Sequence, residues 1–182
     1  MQRRRARKPE DEKAASSVSP EQMRERTFQR AVKLLAAKPR SIAELRERLM
    51  QGRGSNQAVV EIVIARLREY GYLGDERFAY GYASLKVRQR PVGKRRLQRD
   101  LQLKKVDRAV ADEALEAVFA ETSEEELIDR AIEKRIRLRG RPNSRADAKK
   151  LFDHLLRQGF SFDLVADKVR ALTKSDIENG VQ

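Results

Sequence analysis

The chain has 182 residues, and its 41 Lys and Arg against 28 Asp and Glu leave a formal net charge of +13, an excess that calls for an acidic partner: nucleic acid, an acidic protein face or anionic lipid. Cys and Trp are absent and aromatics make up 5%, which excludes a disulfide framework and thiolate chemistry and leaves a core of Leu, Val, Ile and Ala. No apolar run reaches the roughly 18 residues of a membrane span, and the basic opening Met1-Gln2-Arg3-Arg4-Arg5 lacks the apolar segment of a secretory signal.

Residues 1–20 read as a disordered tail, basic at Arg3, Arg4, Arg5, Arg7 and Lys8 and acidic at Glu10, Asp11 and Glu12, with no apolar period to offset the entropy of ordering. From Pro20 the spacing predicts a helix through Phe28, Ala31, Val32, Leu34 and Leu35 that stops at Pro39. Ser41-Ile42-Ala43-Glu44 is a capping-box pattern opening a short helix with Leu45 and Leu49 inward. Ser55 or Asn56 caps a third helix, whose predicted stripe is Val59, Ile62, Val63, Leu67 and Tyr70.

Gly71-Tyr72-Leu73-Gly74-Asp75-Glu76-Arg77-Phe78-Ala79 then packs a helix stop and a helix start into nine residues. Gly71 suits the left-handed position past the third helix, Leu73 folds back on its last apolar turn, and Asp75 is the expected N-cap of the fourth. Tyr72 and Phe78 read as core. The fourth helix carries Phe78, Tyr82, Leu85 and Val87 and ends before Pro91; a fifth holds Leu97 and Leu101; a sixth, capped by Asp107, shows Val110, Ala114, Leu115 and Val118. Thr122 or Ser123 starts a seventh with Leu127, Ala131, Ile132 and Ile136, broken at Gly140-Arg141-Pro142. Ser144 caps an eighth with Ala148, Leu151, Phe152 and Leu155 ending at Gly159, and Ser161 a ninth with Leu164, Val165, Val169 and Leu172.

The middle helix of each round carries a Leu pair four residues apart: Leu45/Leu49, Leu97/Leu101 and Leu151/Leu155. Recurring in one slot between a Pro or Gly break and a capped helix, the pairs point to an all-α fold of tandem three-helix units. The expected boundaries are 21–73, 74–121 and 122–174, with 175–182 a disordered carboxyl terminus. Units this small lack a full core, so neighbours are expected to share apolar surface.

Little supports catalysis. His154 is the single histidine and lacks ligand partners at useful spacing, so neither a catalytic residue nor a metal site is expected. Gly52-Arg53-Gly54 and Gly93-Lys94 lack the order of a phosphate loop. The functional signal is a basic belt of Lys86, Arg88, Arg90, Lys94, Arg95, Arg96, Arg99, Lys104 and Lys105; residues 86–108 hold 10 basic and 2 acidic side chains. Like charges at this density repel without a partner, and arginine favours phosphate or carboxylate. Few aromatics lie among them, so base stacking is not the expected main contact.

With joint, belt and repeat in place, the chain closely resembles the RecX family, bacterial regulators of the RecA recombinase, over residues 25 to 173. The resemblance rests on the nine-residue joint, on Gly93-Lys94-Arg95-Arg96-Leu97 followed by Leu101, and on Leu155-Leu156-Arg157-Gln158-Gly159-Phe160-Ser161-Phe162-Asp163-Leu164. The family usually has an acidic residue where Gly74 stands, often Pro near Lys94, and often Gly where Lys105 follows the second-unit helix. The resemblance implies an elongated, curved array of three units bound in the groove of the RecA filament on single-stranded DNA. It also implies inhibition of strand exchange, ATP hydrolysis and co-protease activity, with no cofactor. A cytoplasmic monomer with no membrane contact is the matching expectation, the belt being its filament-binding site. The alternative from the residues themselves is a free-standing DNA-binding protein built from helix-turn-helix-like units.

Overall fold

The computed structural model describes residues 19–52 and 56–179, with side chains as far as Thr173. The basic stretch expected as an amino-terminal tail, residues 53–55 with the alternative cap Ser55, and residues 180–182 lie outside the described residues. Among those described there are nine helices and no strand: α1 (Pro20–Ala37), α2 (Ile42–Met50), α3 (Gln57–Glu69), α4 (Asp75–Gln89), α5 (Lys94–Leu103), α6 (Arg108–Glu121), α7 (Glu124–Arg139), α8 (Arg145–Gln158) and α9 (Phe162–Asn179). They pack as trios, α1 with α2 and α3, α4 and α5 with α6, and α7 with α8 and α9.

Short polar side chains open most of these helices. Ser19 and Ser41 each form a complete capping box, with Gln22 and Glu44 respectively, and Asn56, Asp107, Ser123 and Ser144 each accept a backbone N–H of the first turn. Gly71, Gly140 and Gly159 carry the positive φ angles that end α3, α7 and α8. α9 has no Pro or Gly before residue 180 and runs on to Asn179, so helix replaces the tail expected from 175.

The Leu pairs of α2, α5 and α8 are all buried. The apolar stripes shift in places. α3 buries Val59, Val60, Val63, Ile64 and Leu67, while Ile62 and Tyr70 are exposed, because the i, i+3, i+4, i+7 line through Val60 is the one facing α1 and α2. Val32 and Leu85, placed on inward faces by spacing, are likewise exposed.

The joint is in part as expected and in part different. Leu73 is buried and its N–H reaches the Leu67 carbonyl at 3.2 Å. Phe78 is buried, but Tyr72 is 68% exposed and meets Tyr70 edge to face. Gly74, not Asp75, is the N-cap of α4, and it offers no side chain. The Asp75 carboxylate turns to a different helix, accepting the Ile42 N–H at 2.9 Å at the start of α2. One turn position along the chain thereby exchanges a local cap for a bond between units.

The two junctions differ in kind. The second and third trios share one buried cluster running from Phe78 to Val169, as expected of neighbouring units. The first trio keeps its own, from Ala31 to Leu73, and meets the second through polar groups. Ser41, fully buried, donates its hydroxyl to the Lys104 carbonyl at 2.6 Å, beside the Asp75 bond. Between α5 and α8 the backbones touch: the Gly93 N–H reaches the Gln158 carbonyl at 3.0 Å and the Arg95 N–H the Gly159 carbonyl at 3.2 Å. A Cβ on Gly93 would lie 2.3 Å from backbone atoms of Gly159 and Phe160, so this approach requires glycine.

Candidate anion-binding surface

Helix geometry splits the basic belt into three groups. Arg88, Arg90, Arg95 and Arg99 are exposed, and among the described residues none of the four forms an ion pair. Arg95 and Arg99, four residues apart, share the outer face of α5 while Leu97 and Leu101 point inward.

Lys86, Lys94 and Arg96 are half-buried and engaged. The Lys86 ammonium lies 5.2 Å from the centre of the Tyr82 ring, Lys94 stands 3.9 Å from Glu116 while its backbone N–H donates to Glu124, and Arg96 donates to the Gln158 side-chain oxygen at 3.2 Å. The Tyr82 hydroxyl faces Asp100 at 3.3 Å, and burial with that carboxylate pushes its pKa up.

Lys104 and Lys105 belong to the first junction. Lys104, with 17% of its side chain exposed, pairs with Glu44 at 2.8 Å and lies over the rings of Phe78 and Tyr82. Lys105 pairs with Glu47. Burial pushes the Glu44 carboxyl up, but the bonds from Lys104 and the Ser41 N–H outweigh it and hold Glu44 below its ordinary value. Across the same joint, burial raises the Asp75 carboxyl in spite of the Ile42 N–H. Lys105 also sits at φ 57°, a left-handed position taken by a non-glycine residue.

The fold adds cations that spacing did not single out. Lys134 and Arg135 of α7 come to the end of α4 and line a cleft with Arg90, His154 and Gln158. Burial, then Arg135 and Arg157, lowers the His154 pKa, so the imidazole is neutral at neutral pH. Among the described residues no cluster of His, Cys, Asp and Glu could hold a metal ion, and no helix is long and apolar enough to cross a membrane.

Tandem trios of helices with a cationic, largely arginine face define an all-α repeat protein. The comparisons give that class a family. Residues 28–67 match the first three-helix domain of RecX and residues 75–115 the second. A regulatory protein RecX of Chlorobium limicola is 32% identical over 149 residues, covering 81% of this chain and 90% of the relative. One of Bacillus licheniformis is 31% identical over 152 residues, of whose length the chain spans 56%. The crystal structure of RecX from Lactobacillus salivarius shares the fold, with a TM-score of 0.72 at 19% identity over 83% of this chain and 97% of that one. The chain belongs to the RecX family.

Proposed function

We propose that this protein is a non-enzymatic regulator of the RecA recombinase that lies in the groove of the RecA filament on single-stranded DNA and restrains strand exchange, ATP hydrolysis and co-protease activity. Family membership supports the regulatory role. The observation that carries the mode of action is the set of exposed arginines without ion pairs, Arg88, Arg90, Arg95 and Arg99, on the second unit. Guanidinium groups without internal carboxylates are free to take phosphate or surface carboxylate in paired hydrogen bonds. In this reading the units 21–73, 74–121 and 122–174 act as one cytoplasmic monomer. Arg96, Lys104 and Lys105 contribute by holding the units in register, and Lys86 and Lys94 border the contact surface.

The experiment is RecA's DNA-dependent ATP hydrolysis and strand exchange at increasing concentrations of this protein. Both should fall, and a variant with Arg88, Arg95 and Arg99 changed to Glu should need roughly tenfold more protein, with a flatter salt dependence and unchanged helix content. Unchanged RecA rates at excess protein refute the proposal. Sequence-selective binding to naked duplex would replace it with a free-standing DNA-binding function.

A further inference from the structure

The end of α4 and the facing sides of α7 and α8 enclose a cleft of about 290 Å³, lined by Arg90, Lys134, Arg135, His154 and Gln158 together with apolar residues. Arg157 lies near enough to His154 to act on it through its charge. No carboxylate lines the cleft. Among the described residues none of Arg90, Lys134, Arg135 and Arg157 forms an ion pair. Cations from three helices are thus gathered without counter-charge, a repulsion that a bound anion would turn into attraction.

Two details suit the cleft to an anion rather than to an apolar molecule. The Gln158 side-chain oxygen is taken by Arg96 at 3.2 Å, so its amide nitrogen is the group left to donate. The walls are also fixed, because the Gly93 N–H bonds to the Gln158 carbonyl at 3.0 Å and so ties the end of α8 to the segment that follows Arg90. The Gln158 donor, held in place before a ligand arrives, loses little on binding it.

We propose that this cleft binds one phosphate group, taken by Arg90, Lys134 and Arg135 with His154 and Gln158 as neutral partners. A nucleic-acid backbone phosphodiester and free inorganic phosphate offer the same chemistry. The first source rests on the filament function proposed above; the second does not.

The test uses the full chain, whose single histidine gives one unambiguous imidazole signal by NMR. Oligothymidylate or inorganic phosphate is added, and the titration midpoint of His154 is followed. An anion against the imidazole offsets Arg135 and Arg157, so the midpoint should rise. In parallel, a K134Q/R135Q variant and, from a different helix, R90Q are compared with the unaltered chain in oligothymidylate binding. The double variant should lose about tenfold in affinity, with a log–log salt slope shallower by about 0.7 for the one lost phosphate contact on a single strand.

A His154 response to inorganic phosphate but not to oligothymidylate supports the site as one for free phosphate. Silence of His154 toward both, or variants that bind with wild-type affinity and slope where oligothymidylate is the responding ligand, overturns it. RecA ATP hydrolysis separates this inference from the regulatory one. A chain that restrains RecA while His154 stays silent loses the cleft and keeps the regulator; a chain that leaves RecA untouched while His154 responds to phosphate does the reverse.

Discussion

Changing Gly93 to Ala tests the second junction. The added Cβ would lie 2.3 Å from the carbonyl carbon and oxygen of Gly159 and from the Phe160 nitrogen, against about 3.4 Å for ordinary contact. All three are backbone atoms, so no side chain can swing aside, and the segments must separate by about 1.1 Å. That retreat takes the Gly93 to Gln158 and Arg95 to Gly159 bonds, now 3.0 and 3.2 Å, beyond hydrogen-bond reach. Two lost bonds at about 0.5–1.5 kcal/mol each, with strain of about 1–3 kcal/mol from overpacking, give an expected loss of about 2–6 kcal/mol. Urea unfolding followed by circular dichroism at 222 nm measures it. Gly81, mid-helix in α4 with nothing within 4 Å of an added Cβ, is the control; its change to Ala should stabilise by about 0.5–1 kcal/mol. A Gly93→Ala protein as stable as the unaltered chain would refute the close approach of α5 and α8.

Other consequences concern the joint and the first junction. Ser41→Ala removes both the α2 cap and the hydroxyl bond to the Lys104 carbonyl, and thermal unfolding should show a loss of about 1.5–3 kcal/mol. Tyr72→Ala should leave the melting temperature nearly unchanged, whereas Phe78→Ala should cost about 3–5 kcal/mol. Because the folded Glu44 carboxyl lies below its ordinary value of 4.5, its stabilising share is complete above that value and is lost as pH falls through the folded pKa. Asp75 is shifted upward and works in the opposite sense, favouring the folded state as it protonates. Acid titration of Glu44→Gln beside the unaltered chain isolates the first effect: the variant should lose less stability between neutral and acid pH, and equal losses would show that the Lys104 pair contributes nothing.

The helix termini were legible in sequence because their chemistry is local. Ser41, Asn56, Asp107 and Ser144 act on N–H groups two or three residues away, and the Leu pairs needed only the helical repeat. What sequence could not show was which polar groups meet across units. Lys104 and Lys105 looked like part of a continuous cationic belt, yet they pair with Glu44 and Glu47, 60 and 58 residues away. Asp75 fits the start of α4 as a cap by spacing alone, and only the placement of α2 explains why it serves Ile42 instead. Likewise the sequence shows His154 as a single histidine without ligand partners at useful spacing, and its cationic company comes from packing α7 and the end of α4 against α8.

The contrast between the junctions divides the chain into cooperative blocks. A core shared by α4 to α9 ties two units to one folding transition, so hydrogen exchange should report a common opening energy across them. The first unit, with its own core and a seam of carboxylates, ammonium groups and one serine, should exchange as a separate foldon. Salt screens the pairs of Glu44 with Lys104 and Glu47 with Lys105 that span that seam. Ionic conditions therefore provide a means of loosening the amino-terminal block alone, leaving the exposed arginines and the phosphate cleft on an intact platform.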